Sequence, residues 1–339
     1  MSSDIENKNM RIIILCAFIF LLNSCSTDPM LPWFSKPENP CIELPDTTIN
    51  SSSDYDTKYV FVFVIDGPRW SETWGNQGRQ FIPYQNQQLL PKGVLCTDFI
   101  NDGATVTVSG HAAITTGCYE DLENTGGELP SRPSLFQFWL AKSGKPKESA
   151  WIITSKDKLY VLGDCKDSSW HGKFSPSLNC GVAGAYSGYR DDFQTTDTVL
   201  SIVSQHHPEL VLINFREPDY SAHKGDWYGY IDGIIDTDSL VWSLINFIET
   251  DPFYMVKTSY FITNDHGRHL NEVQNGFVSH GDDCNGCRKI SLLSIGPDFK
   301  QNDSVATNYS HVNLSATIAE LMGLGREENN GKVMWDIFK

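Results

Sequence analysis

The chain has 339 residues, 40% of them hydrophobic and 12% aromatic, with 42 Asp and Glu against 26 Lys and Arg. That is enough apolar material for one large α/β body or two smaller ones. The formal net charge of −16 argues against a partner held through a nucleic-acid backbone, because that needs clustered Lys and Arg; a local metal cluster could still hold a single phosphate.

Lys8 and Arg11 precede the apolar run IIILCAFIFLL, residues 12–22. The run is short for a bilayer span and suits a signal-peptide core. It closes in LNSC, which resembles the lipobox of bacterial lipoproteins, with Cys25 as the lipid-modified first residue of the mature protein. The alternative is an ordinary secretory signal or a short anchor. The expectation is a signal peptide over 1–24, a flexible Pro-, Ser-, Asp- and Thr-rich tether over 25–57 and one catalytic domain over 58–339. It implies an exported bacterial envelope lipoprotein, anchored in a membrane through Cys25 and facing the periplasm or the surface. Seven cysteines follow Cys25, an odd number, so at least one stays free or pairs elsewhere. CNGC, residues 284–287, has no second Cys-x-x-Cys to complete a zinc knuckle, and a disulfide or plain packing is the expectation there.

From residue 58 onward strand-like and helix-like segments alternate. KYVFVFVID (58–66) is continuous enough for a buried parallel strand ending at Asp66. Helical spacing with a glycine stop marks 134–144. Strands are predicted over 149–155, 209–215, 259–265 and 289–297, and helices over 196–208, 232–251 and 313–323. The alternation predicts a three-layer α/β/α sandwich around a central, mostly parallel sheet.

Ligands bind such sheets at the carboxyl ends of the strands, and the chemistry gathers there. Asp66 ends the first strand. Asp219 and His223 follow the strand 209–215, four residues apart, which one helical turn would bring to one side. Asp265 and His266 stand side by side after SYFI; they can act on one object only if the strand has ended and the chain turns, as Gly267 would permit. His280 precedes the strand 289–297. Each taken alone could be a cap, a turn or a satisfied polar residue. Three Asp and three His together make a mixed oxygen and nitrogen set that suits Zn²⁺ and is too imidazole-rich for Mg²⁺ or Ca²⁺. Six side chains exceed the needs of one four-coordinate ion, so two ions are expected, about 4 Å apart. A nucleophile is sought in the hydroxyl-rich stretch GATVTVSGHAAITTG, 103–117, although a Ser/Thr cap and a short strand would explain it locally.

The pieces VIDGPRW, TVTVSGH…TTG, EPDYSAH, NDHG and SHGDD…GPDF stand in the order found in the alkaline phosphatase superfamily. The chain most resembles its nucleotide pyrophosphatase/phosphodiesterase branch, over residues 58 to about 323. The resemblance implies one zinc ion held by Asp219, His223 and His280. It implies a second held by Asp66, Asp265 and His266 together with Thr107, the nucleophile. Thr107 is favoured because it stands four residues before His111; Thr105 and Ser109 are its rivals. A phosphoryl group of a small-molecule ester would be attacked by Thr107, and the resulting phosphothreonine hydrolysed.

Several departures matter. Ser109-Gly110 replaces the family's Pro-Asn. Asn124 is the sole match to the family's phosphate-contacting Asn, in a shortened stretch. Only residues 268–279 separate DHG from SHG, so the large insertion over the site is missing. The Cys-x-Pro-Ser-Arg type stretch of sulfatases is absent. The expected activity is therefore metal-dependent hydrolysis of phosphoric mono- or diesters. The alternatives are a sulfatase or phosphonate-type hydrolase, or a non-catalytic surface-binding lipoprotein that kept the fold.

Overall fold

The computed structural model describes residues 55–325 and 330–339. The signal segment, Cys25 and the tether up to residue 54 lie outside the described residues. The backbone N–H groups of Asp56 and Thr57 both donate to the Asp298 carboxylate, at 2.9 Å each. No helix among the described residues is long and apolar enough to cross a membrane.

β1 (Tyr59–Asp66) shows why the sheet is buried on both faces. Val60, Val62 and Val64 face one core, with Val108 and Ala112 of α1 (Thr107–Thr116), Leu135 of α2 (Leu135–Ser143) and Ile318 of α7 (His311–Leu321). Phe61, Phe63 and Ile65 face the other, with Val199 of α3 (Asp192–His206) and Val241 and Leu244 of α5 (Trp227–Ile248). An unbroken apolar run with period-two alternation thus feeds two separate cores. Each fully buried side chain contributes about 1.5–3 kcal/mol.

The remaining strands are β2 (Gly93–Ile100), β3 (Ala150–Thr154), β4 (Ser177–Cys180), β5 (Leu210–Pro218), β6 (Thr258–Asn264), β7 (Lys289–Ile295), β8 (Asp303–Val305) and β9 (Tyr309–Ser310). Their order is β4-β3-β5-β1-β6-β7-β2-β8, with β9 also paired to β2. The pairs are parallel except β6–β7 and β7–β2. The architecture is the predicted three-layer sandwich on a mostly parallel sheet. Between β6 and β7 the chain forms only a 3-10 turn (Gly276–Val278) and the four-residue α6 (Asn285–Arg288), so no large cap is inserted there.

Local signals misled in three places. The β-branched stretch before residue 108 is not a strand; the chain enters α1 at Thr107, and all ten helix residues are buried. Packing overrides propensity here. Gly110 lies so close to the turn after β6 that a Cβ would meet the Asp265 carbonyl oxygen at 2.4 Å. α3 and α5 start four and five residues before their predicted first residues, 196 and 232. Their starts are fixed by caps, Asp191 accepting from Phe193 N and Asp226 accepting from Gly229 N, rather than by apolar spacing. β2, although apolar at five of its eight positions, and the short β4 are not among the predicted strands.

Gly110→Ala tests the contact between α1 and the β6 turn. Overpacking there should cost about 1–3 kcal/mol in a denaturant titration; an unchanged midpoint would show that α1 is free to shift.

Candidate metal centre

The carboxyl edge of the parallel strands collects the candidate residues. Asp66 is the last residue of β1. The β1–β5 register slips between Ile65, opposite Phe215, and Asp66, opposite Pro218. The extra residues on β5 bring Asp219, first residue of the single-turn α4 (Asp219–His223), beside Asp66. Helical spacing then sets His223 over Asp219, its Nε2 3.2 Å from Asp219 Oδ1. Asp265 and His266 stand just past the end of β6, so the turn aims both inward. β7 runs antiparallel to β6, so its beginning lies at this same edge, and His280 ahead of it reaches the cluster. His280 Nδ1 is held by the Thr105 carbonyl at 2.8 Å, leaving Nε2 3.4 Å from Asp219 Oδ1.

The structure thus brings all six residues together. Asp66, Asp265 and His266 form one metal-capable group and Asp219, His266 and His280 another, each with ligand atoms within 4.8 Å of one another. Distances alone leave His266 shared, its ring stacked on His280 at 3.8 Å. His223 Nε2 lies 3.0 Å from His280 Nε2 and completes the second group. The first group fits a cation on its own terms. Asp66 Oδ1, Asp265 Oδ2 and His266 Nε2 are buried without hydrogen-bond partners, and His266 Nε2 sits 3.6 and 3.4 Å from those two oxygens. Buried polar atoms are rarely left orphaned.

Two cations not singled out in the sequence enter the cluster. Lys156, 1% exposed, follows β3, and its Nζ lies 2.8 Å from Asp66 Oδ2, 2.6 Å from Asp219 Oδ2 and 3.3 Å from Thr107 Oγ1. Arg268, fully buried, donates to Asp219 Oδ1. The signal for Lys156 was present, since it too ends a strand at this edge; nothing local distinguished Arg268.

The electrostatics follow from burial and crowding. Burial, then the nearby Asp66 carboxylate, holds Asp265 well above the usual carboxylate range. Burial also raises Asp66, against the pull of Lys156. Asp219 is driven well below its ordinary value: burial opposes this, and Lys156, His223, His280 and Arg268 outweigh it. Burial and the neighbouring His280 keep His266 neutral, as imidazole ligands must be. His111, pushed down to about 3 by burial, is neutral as well, and its Nδ1 is tied to the Thr107 carbonyl at 2.8 Å.

Only one of the three rival hydroxyls opens onto the cluster. Thr105 Oγ1 donates to the Asp282 carbonyl at 2.8 Å. Ser109 Oγ accepts from Leu122 N at 2.9 Å, on the far side of the helix start. Thr107 Oγ1 contacts Lys156. Asn124 stands beside Thr107: its Oδ1 accepts from Val108 N and from Lys158 Nζ, both at 3.0 Å, leaving its carboxamide NH₂ to offer elsewhere.

A model of the Metalloenzyme superfamily matches residues 144–326, more than half of the chain, and the chain belongs to that superfamily. Its members include metal-dependent hydrolases, so divalent metal ions are implied. Among solved structures, murine ectonucleotide pyrophosphatase/phosphodiesterase 5 is similar at 14% identity and TM-score 0.60, over 83% of this chain and 100% of that one. A protein in the alkaline phosphatase superfamily from Vibrio parahaemolyticus is similar at 13% identity and TM-score 0.58, over 81% and 69%. A 2-O GAG sulfatase is similar at 13% identity and TM-score 0.61, over 82% and 73%. These likenesses establish the alkaline-phosphatase-like fold. No curated protein is a sequence match to the chain.

Lys156→Ala would leave Asp66 and Asp219 buried with one fewer cation. In chelator-treated protein it should cost about 3–5 kcal/mol of unfolding free energy, and saturating Zn²⁺ should recover much of that by binding the native state. Urea titrations with and without metal decide; an equal loss in both would make Lys156 a purely structural counter-ion.

Proposed function

We propose that the chain is a metal-dependent phosphoric ester hydrolase with Thr107 as its nucleophile. The observation that carries the reading is the placement of Thr107 Oγ1. Of the hydroxyls at residues 105, 107 and 109 it alone faces the carboxylate–imidazole cluster, from the first residue of a ten-residue helix. Zinc suits the mixed oxygen and nitrogen donors. Asp66, Asp265 and His266 would hold one ion and Asp219, His223 and His280 the other, and the ions would supply Lewis-acid charge to the phosphoryl and leaving oxygens.

The chain's own residues perform the rest. Lys156 Nζ, 3.3 Å from Thr107 Oγ1, stabilises negative charge on that oxygen, as does the positive end of α1. Thr107 Oγ1 gives up its proton and forms its bond to phosphorus as the ester oxygen departs and takes up a proton in turn. Water then attacks the phosphothreonine, and Thr107 leaves with its hydroxyl restored. Asn124 directs its NH₂ group to a non-bridging oxygen. His223, with 49% of its side chain exposed, marks the side from which the ester enters. A lipid on Cys25 would keep this centre at an envelope membrane.

Sulfate esters are the second reading, because a sulfatase shares the fold. The threonine at the nucleophile position and the missing Cys-x-Pro-Ser-Arg stretch favour phosphate.

Purified protein with Zn²⁺, assayed on an aryl phosphate, an aryl phosphodiester and an aryl sulfate, should turn over a phosphate ester fastest. Thr107→Ala should lower that turnover by orders of magnitude with metal content unchanged, and Thr107→Ser should retain part of it. Full activity in Thr107→Ala alongside an inert Ser109→Ala would move the nucleophile to Ser109.

A further inference from the structure

We propose that His269, Asp282, Cys284 and Cys287 form a separate, structural site for a zinc-type cation in the link between β6 and β7. One ligand atom from each lies within 4.8 Å of the others. Zn–S bonds of about 2.3 Å and Zn–N or Zn–O bonds of about 2.0–2.2 Å place tetrahedral ligands roughly 3.3–3.8 Å apart, so the widest pairs close by about an ångström on binding. The donors differ in kind from those of the catalytic centre. Two thiolates, an imidazole and a carboxylate are a soft, closed set with no position left for a substrate.

His269 supplies the second observation. It is 1% exposed, and its Nε2 makes no hydrogen bond. That atom lies 3.0 Å from Asp282 Oδ2 but off the line along which an N–H would donate. Two ligands of one ion meet in this way. The opposite ring nitrogen, Nδ1, is fixed by Ser279 Oγ at 2.9 Å, the outer contact that orients a ligating histidine. Asp282 Oδ1 accepts from Cys284 N at 3.0 Å and Oδ2 from the exposed Gln274 side chain at 2.7 Å, and the thiols of Cys284 and Cys287 also lie within reach of the carboxylate.

Of the two expectations for this pair, a disulfide or plain packing, the disulfide is not formed: both cysteines are free thiols, and Cys287 is fully buried. Cys284 caps α6 and Cys287 is the third of its four residues, with Cys287 N donating to Cys284 Sγ at 3.4 Å. The backbone forces this turn against the histidine arm. Gly267 N donates to Cys287 O at 2.7 Å, and a Cβ on Gly267 would lie 2.1 Å from Gly286 O. A Cβ on Gly286 would lie 2.4 Å from Arg268 O. Two glycines therefore let the arms touch backbone to backbone, and the ligands stand on both sides of the seam. An ion there would staple the link that carries His280, two residues before Asp282. The proposal does not depend on the phosphoric ester reading.

Cobalt separates the two centres, because only a cysteine-ligated ion gives thiolate-to-cobalt charge-transfer absorption. The full chain, reduced and loaded with Co²⁺, should show that band together with tetrahedral d–d bands. The band should persist in His266→Ala and disappear in Cys284→Ser, whose position is partly exposed and tolerant of the change. Zinc K-edge absorption of unmutated protein should show sulfur in the zinc shell, which keeps the test independent of whether a variant folds. The proposal is overturned by a wild-type spectrum without the band, by a band unaffected in Cys284→Ser, by a zinc shell of oxygen and nitrogen only, or by a Cys284–Cys287 disulfide in protein purified without reductant.

Discussion

Three carboxylates forced out of water at one sheet edge are the constraint around which this domain is arranged. Asp66, Asp219 and Asp265 are each at most 3% exposed. Like charges this close and this dry repel one another and forfeit hydration. Two permanent cations, Lys156 and Arg268, relieve part of that, and both converge on Asp219. Asp265 is left with the weakest compensation: its Oδ1 accepts from Gly67 N and His266 N, and its Oδ2 has no partner. The arrangement is poised to accept further positive charge, the property a metal-dependent hydrolase needs.

Backbone devices deliver these groups. The register slip opposite Ile65 turns β5 toward Asp66, and the reversed direction of β7 brings a histidine from before a strand to the edge where the others follow theirs. The turn after β6 is pinned from several sides. Asn101 Nδ2 donates to the Asp265 carbonyl at 2.7 Å, and His311 Nε2 is hydrogen-bonded to the Asn264 carbonyl at 2.7 Å. Arg69, paired with Glu72, reaches the His269 carbonyl at 3.1 Å. Such support holds side chains in place before anything binds.

Much of this could be read from the chain because its strongest signals are local. Unbroken apolar runs gave β1, β5 and β6, and the rule that ligands gather at strand ends picked out Asp66, Asp219, Asp265 and His266 without coordinates. His280 was found although the strand after it runs the other way, a direction no local pattern encodes. Lys156 escaped notice because a lysine after a strand reads as a solvated turn; its role depends on carboxylates far away in sequence. The first turn of α1 was obscured by threonine and valine, whose strand preference yields to the close fit of Gly110 on the β6 turn. The cysteine pair looked like an incomplete motif because the residues the fold brings beside it, His269 and Asp282, do not follow a knuckle spacing.

The brevity of the β6–β7 link has a kinetic meaning. Enzymes that fold a lid over their reactants commonly wait for that lid to reopen. Here the segment crossing between the strands is small and pinned at both ends, with nothing inserted in it large enough to swing. Among the described residues, this link therefore provides no lid over the sheet edge.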